Sequence, residues 1–291
     1  MRSFATTRGA LDLESPPMRL YQKSKRLGTW DPRDLDFSGD VDAWQELTPE
    51  ERDLLLRVTA LFQAGEEAVT VDLLPLLDVI GSEGRIEDEL FLTAWLWEEG
   101  KHTEFFRRFL DEVAGERGDL HHLHGEAYRR VFHDELPAAM NALRTDRSPA
   151  AQARAVVTYT MIVEGVLAET GYHGYFTALE RQGVLTGLKD GLALVKRDES
   201  RHIAYGVYLL SRLVKENPGL WPAIETRMEE LLPLALGIVD ETFAAYDEMP
   251  FGLDLDEFVD YAVGQYGKRI ARIERARAGG PLELGEDDEE G

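Results

Sequence analysis

The tetrapeptides Glu99-Gly100-Lys101-His102 and Glu199-Ser200-Arg201-His202 each set a glutamate three residues ahead of a histidine, inside stretches of helical period. Residues three apart lie on one side of an α-helix, so each stretch can aim a carboxylate oxygen and an imidazole nitrogen at one point. A metal ion is what such a donor pair serves. With 32 Glu and 7 His in 291 residues, chance accounts for about one such spacing, not for two on separate helices. Two Glu-x-x-His helices plus one glutamate from each of two further helices make the ligand set of a dinuclear carboxylate site in a four-helix bundle. The motifs therefore require acidic helices that bury their charge around a common centre.

The length and a hydrophobic content of 44% suit one domain with extensions. No run of about 18 apolar residues exists, and Met1-Arg2-Ser3-Phe4-Ala5 lacks the apolar segment of a secretory signal. The expectation is a soluble, cytoplasmic chain with no membrane insertion. The absence of cysteine leaves oxygen and nitrogen as metal donors. A net charge of −23 argues against nucleic acid as a partner, because like charges repel.

Periodicity predicts an all-α fold. Residues 1–47 read as an N-terminal arm, extended with short turns up to about residue 40 because Pro16, Pro17, Gly28, Pro32 and Gly39 interrupt any period. Residues 48–277 read as the helical domain, and 278–291, with Glu286-Asp287-Asp288-Glu289-Glu290, as a disordered acidic tail. Thr48-Pro49-Glu50-Glu51 is a capping box opening a helix over 48–80, kinked at Pro75 and stopped by Gly81. Further helices are expected over 83–114, 124–143, 148–182, 185–216, 219–248 and 254–277. His121, His122 and His124 lie at a glycine-flanked helix start and read as solvated.

The four long helices offer Glu66, Glu99, Glu164 and Glu199, with His102 and His202 completing the set. By composition Glu67 is as good a donor as Glu66. Oxygen-rich coordination completed by nitrogen suits manganese and iron, and two such ions bridged by a carboxylate suit dioxygen activation. Asp198, directly before Glu199, is a candidate acceptor for a ligand histidine's second N–H.

These stretches, with Pro17-Met18-Arg19-Leu20, Trp30-Asp31-Pro32, Ala64-Gly65-Glu66-Glu67-Ala68-Val69 and Glu104-Phe105-Phe106, resemble the ribonucleotide reductase small-subunit superfamily over residues 15–270, and within it the ligand-binding oxidase branch. The resemblance implies a ferritin-like four-helix bundle core with additional helices and a homodimer. The family's valine three residues after its first ligand selects Glu66 and Val69, and the spacing to Glu199 selects Glu164. It further implies manganese held by Glu66, Glu99 and His102, and iron by Glu164, Glu199 and His202, with Glu99 bridging; two irons are the alternative. Implied too are dioxygen as reactant, a long-chain fatty acid against the metals, and an ether cross-link joining the β-carbon of Val69 to Tyr159. Tyr159 precedes Glu164 by five residues, about 140° away on an α-helix. A π-bulge between them would align the two. Tyr172 and Tyr175 are candidates for lining the ligand channel.

The nearest rival is a reductase subunit, but Phe106 stands one turn beyond His102, where that function uses a radical tyrosine, and residues 281–291 contain no tyrosine. An iron-storage cage suits shorter chains; a desaturase or N-oxygenase shares the chemistry and remains open. A metal-free bundle would leave six polar side chains buried without ions.

Overall fold

Thr48 opens the first site-bearing helix: its Oγ1 accepts the Glu51 amide, and the Glu51 carboxylate accepts the Thr48 amide. This reciprocal cap satisfies two donors that a helix start leaves unpaired. The computed structural model describes residues 10–278, and among these every regular element is helical. In order the α-helices are α1 Pro16–Leu27, α2 Ser38–Glu46, α3 Pro49–Asp72, α4 Leu74–Glu83, α5 Ile86–Phe109, α6 Glu126–Arg129, α7 Leu136–Ala142, α8 Pro149–Val156, α9 Glu169–Gln182, α10 Thr186–Glu216, α11 Trp221–Phe243 and α12 Leu255–Arg277, with short 3-10 and π turns between some of them. A π-helix, Val157–Ala168, joins α8 to α9.

The four site-bearing segments are α3, α5, the α8–π–α9 run and α10. Their apolar residues form two blocks with the polar site between them. On α5, Phe91, Leu92 and Trp95 belong to one block and Phe105, Phe106 and Phe109 to the other. The order reverses on α10: Leu188, Leu192 and Val195 precede Glu199, and Ile203 and Tyr205 follow His202. The two motif helices thus run oppositely past one plane. Each motif lies where its helix passes from one greasy block into the next.

Three expectations need correction. The arm is not extended: α1 is helical and packs across α5 and α10, burying Pro17, Met18, Leu20 and Ser24. Its lysines and arginines dilute a narrow buried stripe, and its two prolines sit in the first turn, where a missing N–H does no harm. The helix expected to kink at Pro75 instead ends at Asp72, and Pro75 lies in the first turn of α4. Gly81 lies within α4; Gly84, in the left-handed conformation (φ 75°), closes it. The acidic tail falls outside the described residues from Gly279 on.

The π-helix spans twelve residues, whereas most π segments last one turn. A wide turn bonds each N–H to the carbonyl five residues back and so brings residues five apart into line. Arg269 of α12, itself buried, donates to the Gly165 carbonyl at 3.2 Å and braces this segment beside Glu164. On α10, one of the helices packed against this segment, Gly206 meets the Thr160 side chain, which fills the space a Cβ there would need.

Candidate metal centre

Six side chains from four segments converge on the plane between the blocks. Glu66 comes from α3, Glu99 and His102 from α5, Glu164 from the π-helix, and Glu199 and His202 from α10; all are buried. Donor atoms of Glu66, Glu99, His102 and Glu199 lie within 4.8 Å of one another, as do those of Glu99, Glu164 and His202. Glu99 is common to both groups. Its Oε2 is 3.5 Å from Nδ1 of His102 and its Oε1 3.5 Å from Nδ1 of His202. Glu199 also faces both rings, with Oε1 3.2 Å from His102 Nδ1 and Oε2 3.5 Å from His202 Nδ1. Glu67, the compositional alternative to Glu66, is exposed and accepts from Gln63.

Both imidazoles turn Nδ1 inward and Nε2 outward, and the outward atoms show a cross-brace. Nε2 of His102 faces Asp198 Oδ2 at 3.3 Å; the sequence offered Asp198 as acceptor for one of the two histidines without saying which. Nε2 of His202 faces Glu98 Oε2 at 2.9 Å, which sequence reasoning missed. The signal was present: an acidic residue precedes the ligand glutamate in both motifs, and each supports the histidine of the other helix. Arg201 closes the brace, its Nη2 donating to Glu98 Oε1 at 2.7 Å and to Asp198 Oδ1 at 2.5 Å. Asp198 also accepts from Lys101 Nζ and from Trp30 Nε1, both at 2.8 Å, so the N-terminal segment is tied into the site. Such partners fix ring orientation and tautomer. Glu98→Ala leaves the fully buried Arg201 guanidinium with Asp198 as its one remaining carboxylate partner and is expected to lower unfolding free energy by about 3 kcal/mol, with Glu98→Gln losing less. Urea unfolding of the two variants checks this.

Electrostatics reflect the crowding. Burial, then the neighbouring carboxylates, push Glu164 well above the usual carboxylate range. Burial also raises Glu66 well above it, against the pull of His102. For Glu99 burial acts upward, but the two histidines prevail and hold its carboxyl at about 2. Burial disfavours charge on His202, yet Glu199 and Glu98 raise it to about 9. These groups compete for protons because four acids and two bases share a space that excludes water.

Whether the residues fit a metal pair is answered by their unmade bonds. Among the described residues, Oε2 of Glu99, both oxygens of Glu164, Oε2 of Glu199 and Nδ1 of both histidines are buried with no hydrogen-bond partner. Buried polar atoms without partners cost about 1–3 kcal/mol each, more when charged. That so many point at one another is explained by cations between them. The donors are oxygen and nitrogen only, a set that manganese and iron accept. His121, His122 and His124 join no such group, although His124, unlike the solvated cluster expected, is buried against Tyr128 with ring centres 4.5 Å apart.

An apolar cavity opens from this centre. Glu66, Glu99, Glu164 and Glu199 form its polar part, and most of the remaining wall is aliphatic or aromatic, reaching Met249, Leu253 and Phe258. Val69 and Tyr159 both line it, and the Tyr159 hydroxyl donates to Glu99 Oε1 at 2.9 Å. The hydroxyls of Tyr175 and Tyr128 are engaged elsewhere, with Thr59 Oγ1 at 2.7 Å and the Leu61 carbonyl at 2.8 Å. Tyr175 lines the cavity with Gly171, Gly174 and Ala178. Tyr172 is not among the lining residues: it is turned off that face of α9 and packs on Phe62 at 5.0 Å between ring centres. Trp95, also unforeseen, donates its indole N–H to Glu99 Oε1 at 2.6 Å.

Residues 15–269 match the family described as ribonucleotide reductase, small chain. Among solved structures, the chain is similar to an R2-like ligand-binding oxidase with an aerobically reconstituted Mn/Fe cofactor, at 38% identity and a TM-score of 0.89, covering 92% of this chain and 96% of that one. A mutant of an R2-like ligand-binding oxidase, also with aerobically reconstituted Mn/Fe cofactor, matches at 36% identity and a TM-score of 0.90, over 97% and 100% of the two chains. An anaerobically reconstituted mutant matches at 38% and 0.89, over 92% and 97%. With its all-α fold, paired Glu-x-x-His motifs and buried donor cluster, the chain belongs to the ribonucleotide reductase small-chain family, in the branch of the R2-like ligand-binding oxidases.

Proposed function

We propose that this chain is a dioxygen-activating oxidase that holds one manganese and one iron and removes two electrons from an unactivated C–H bond. Manganese is assigned to Glu66, Glu99 and His102, and iron to Glu164, Glu199 and His202, with Glu99 between them. The carrying observation is that unpartnered buried donors converge where an apolar cavity meets the site. The Mn/Fe cofactor of the similar oxidases supports the metal choice. Bound there, such a pair supplies electrons for reducing dioxygen and a Lewis-acidic anchor for an acid group.

The protein's own part is to hold, orient and exclude. Trp95 and Tyr159 both donate to Oε1 of Glu99 and fix its position. Glu98 and Asp198 hold the outer nitrogens of His202 and His102, leaving both Nδ1 atoms directed inward. Because Tyr175 and Tyr128 spend their hydroxyls on protein partners, the cavity offers a ligand tail little to hydrogen-bond. It selects an amphiphile with an acid head toward the metals and a long apolar tail, and a long-chain fatty acid fits that description.

The same oxidising power reaches Val69 and Tyr159. Forming an ether between the Val69 β-carbon and the Tyr159 oxygen breaks one C–H and one O–H bond, and the two electrons and two protons go to dioxygen. A cytoplasmic homodimer completes the proposal; no helix among the described residues is long and apolar enough to cross a membrane. Anomalous scattering at the manganese and iron edges is expected to show one of each per chain in this order. Organic extraction of the purified protein should yield a fatty acid by mass spectrometry. Two irons would overturn the metal assignment, and a protein that neither carries nor takes up fatty acid would overturn the ligand.

A further inference from the structure

Trp95 separates the metal centre from a line of tyrosines that the proposed chemistry leaves idle. Its ring stacks on His202, with centres 4.7 Å apart and planes 17° from parallel, and on Tyr159 at 5.3 Å and 27°. The Tyr205 ring meets Trp95 edge-on at 6.0 Å, and Tyr208 follows at 5.8 Å from Tyr205. Tyr205 is fully buried whereas Tyr208 is half-buried. The rings therefore lead, in short steps, from the centre towards the surface.

Aromatic neighbours are ordinary core packing. What sets this line apart is Asp88, a buried carboxylate whose Oδ1 accepts the Tyr205 hydroxyl at 3.0 Å. Burying a carboxylate is an expensive way to satisfy one hydroxyl. A phenol, however, gives up an electron readily only if its proton leaves with it, and the acceptor must already be within hydrogen-bond reach. Tyr205 has that acceptor in place. Arg212 and Arg85 lie near enough to Asp88 to ease its negative charge, while burial keeps its carboxyl a better proton acceptor than an exposed one.

We propose that Trp95, Tyr205 and Tyr208 form a discharge path, drawing single electrons from the protein to an oxidised metal pair that has found no substrate. The idea rests on the function proposed above. In the first step one electron passes from Tyr205 through Trp95 to the oxidised pair, which is reduced by one equivalent, and the phenol proton moves to Asp88. A neutral Tyr205 radical remains. In the second step Tyr208 gives up one electron, which restores Tyr205 together with the proton returned from Asp88, and the Tyr208 proton goes to water. A small one-electron, one-proton reductant such as ascorbate then restores Tyr208. The path spares the residues around the centre from uncontrolled oxidation.

The test loads the full chain with manganese and iron(II) in air, without added fatty acid, and follows freeze-quenched samples by electron paramagnetic resonance. Wild type is expected to show a transient neutral tyrosyl signal that ring-deuterated tyrosine narrows. Tyr205→Phe should reduce it to background, and Asp88→Asn, which keeps an oxygen acceptor but no base, should do likewise. Tyr208→Phe leaves the Tyr205–Asp88 bond intact and should lengthen the lifetime of the signal. Metal content per chain, equal in all four proteins, shows that folding and loading are preserved. A signal in Tyr205→Phe as strong as in wild type, or none in fully loaded wild type, would overturn the path alone. Failure of wild type to bind two metals would overturn the reading of the site and the path with it.

Discussion

Glu99→Ala is expected to abolish loading at both metal positions. Among the described residues, no other single carboxylate both faces the two histidines and accepts hydrogen bonds from Trp95 and Tyr159. Removing it takes a donor from each group of ligands and leaves Glu66, Glu164 and Glu199 to repel one another across a gap with less cation to screen them. Loss of an outer-shell partner alone costs about 10–100-fold in metal affinity, so loss of a shared ligand should exceed about 100-fold. Metal analysis after anaerobic loading and desalting checks this, with Glu67→Ala as the control, since Glu67 is exposed and bonded to Gln63. Two metals retained in Glu99→Ala would refute the site as assigned.

Aerobic loading is expected to lighten the intact chain by two hydrogens relative to anaerobic loading, and a proteolytic digest should then contain a peptide pair joining α3 to the π-helix. The reason is local. Val69 and Tyr159 line the same cavity, and the phenol oxygen is held 2.9 Å from Glu99 Oε1, so both groups that would lose hydrogen border the cavity into which the proposed metal ligands project. Tyr159→Phe should bind both metals and show no mass change. Equal masses under the two loading conditions in wild type, with full metal content, would end the cross-link proposal while leaving the metal site standing.

Much of this site could be read from spacing, because spacing within one helix is a matter of a turn or less. Glu99 with His102, and Glu199 with His202, had to share a face once their stretches were helical. Glu164 was harder, since Tyr159 and Glu164 align only on the wide turn that Val157–Ala168 adopts, and nothing in the local pattern sets the length of that π-helix. The choice between Glu66 and Glu67 could not be made from composition, because adjacent helical residues point about 100° apart and either could have faced inward. The helical arm escaped notice because its buried stripe is only four residues, interleaved with Arg19, Lys23, Lys25 and Arg26 in a twelve-residue helix. Glu98 and Arg201 were visible as residues but not as partners.

By itself, then, the order of residues determined which donors ride together on each helix, where Thr48 starts α3, and that oxygen and nitrogen alone could ligate a metal. Those follow from backbone geometry and side-chain chemistry acting over a few residues. Only the tertiary structure decided that Glu98 supports His202 while Asp198 supports His102, that Glu99 and Glu199 each face both rings, and that α1 and Trp30 seal the outer side. The two histidine supports join residues 104 and 96 positions apart, and Trp30 reaches Asp198 across 168. They exist because two helices running in opposite directions bring their acidic residues level with one another, in an interior where no water competes for the bonds.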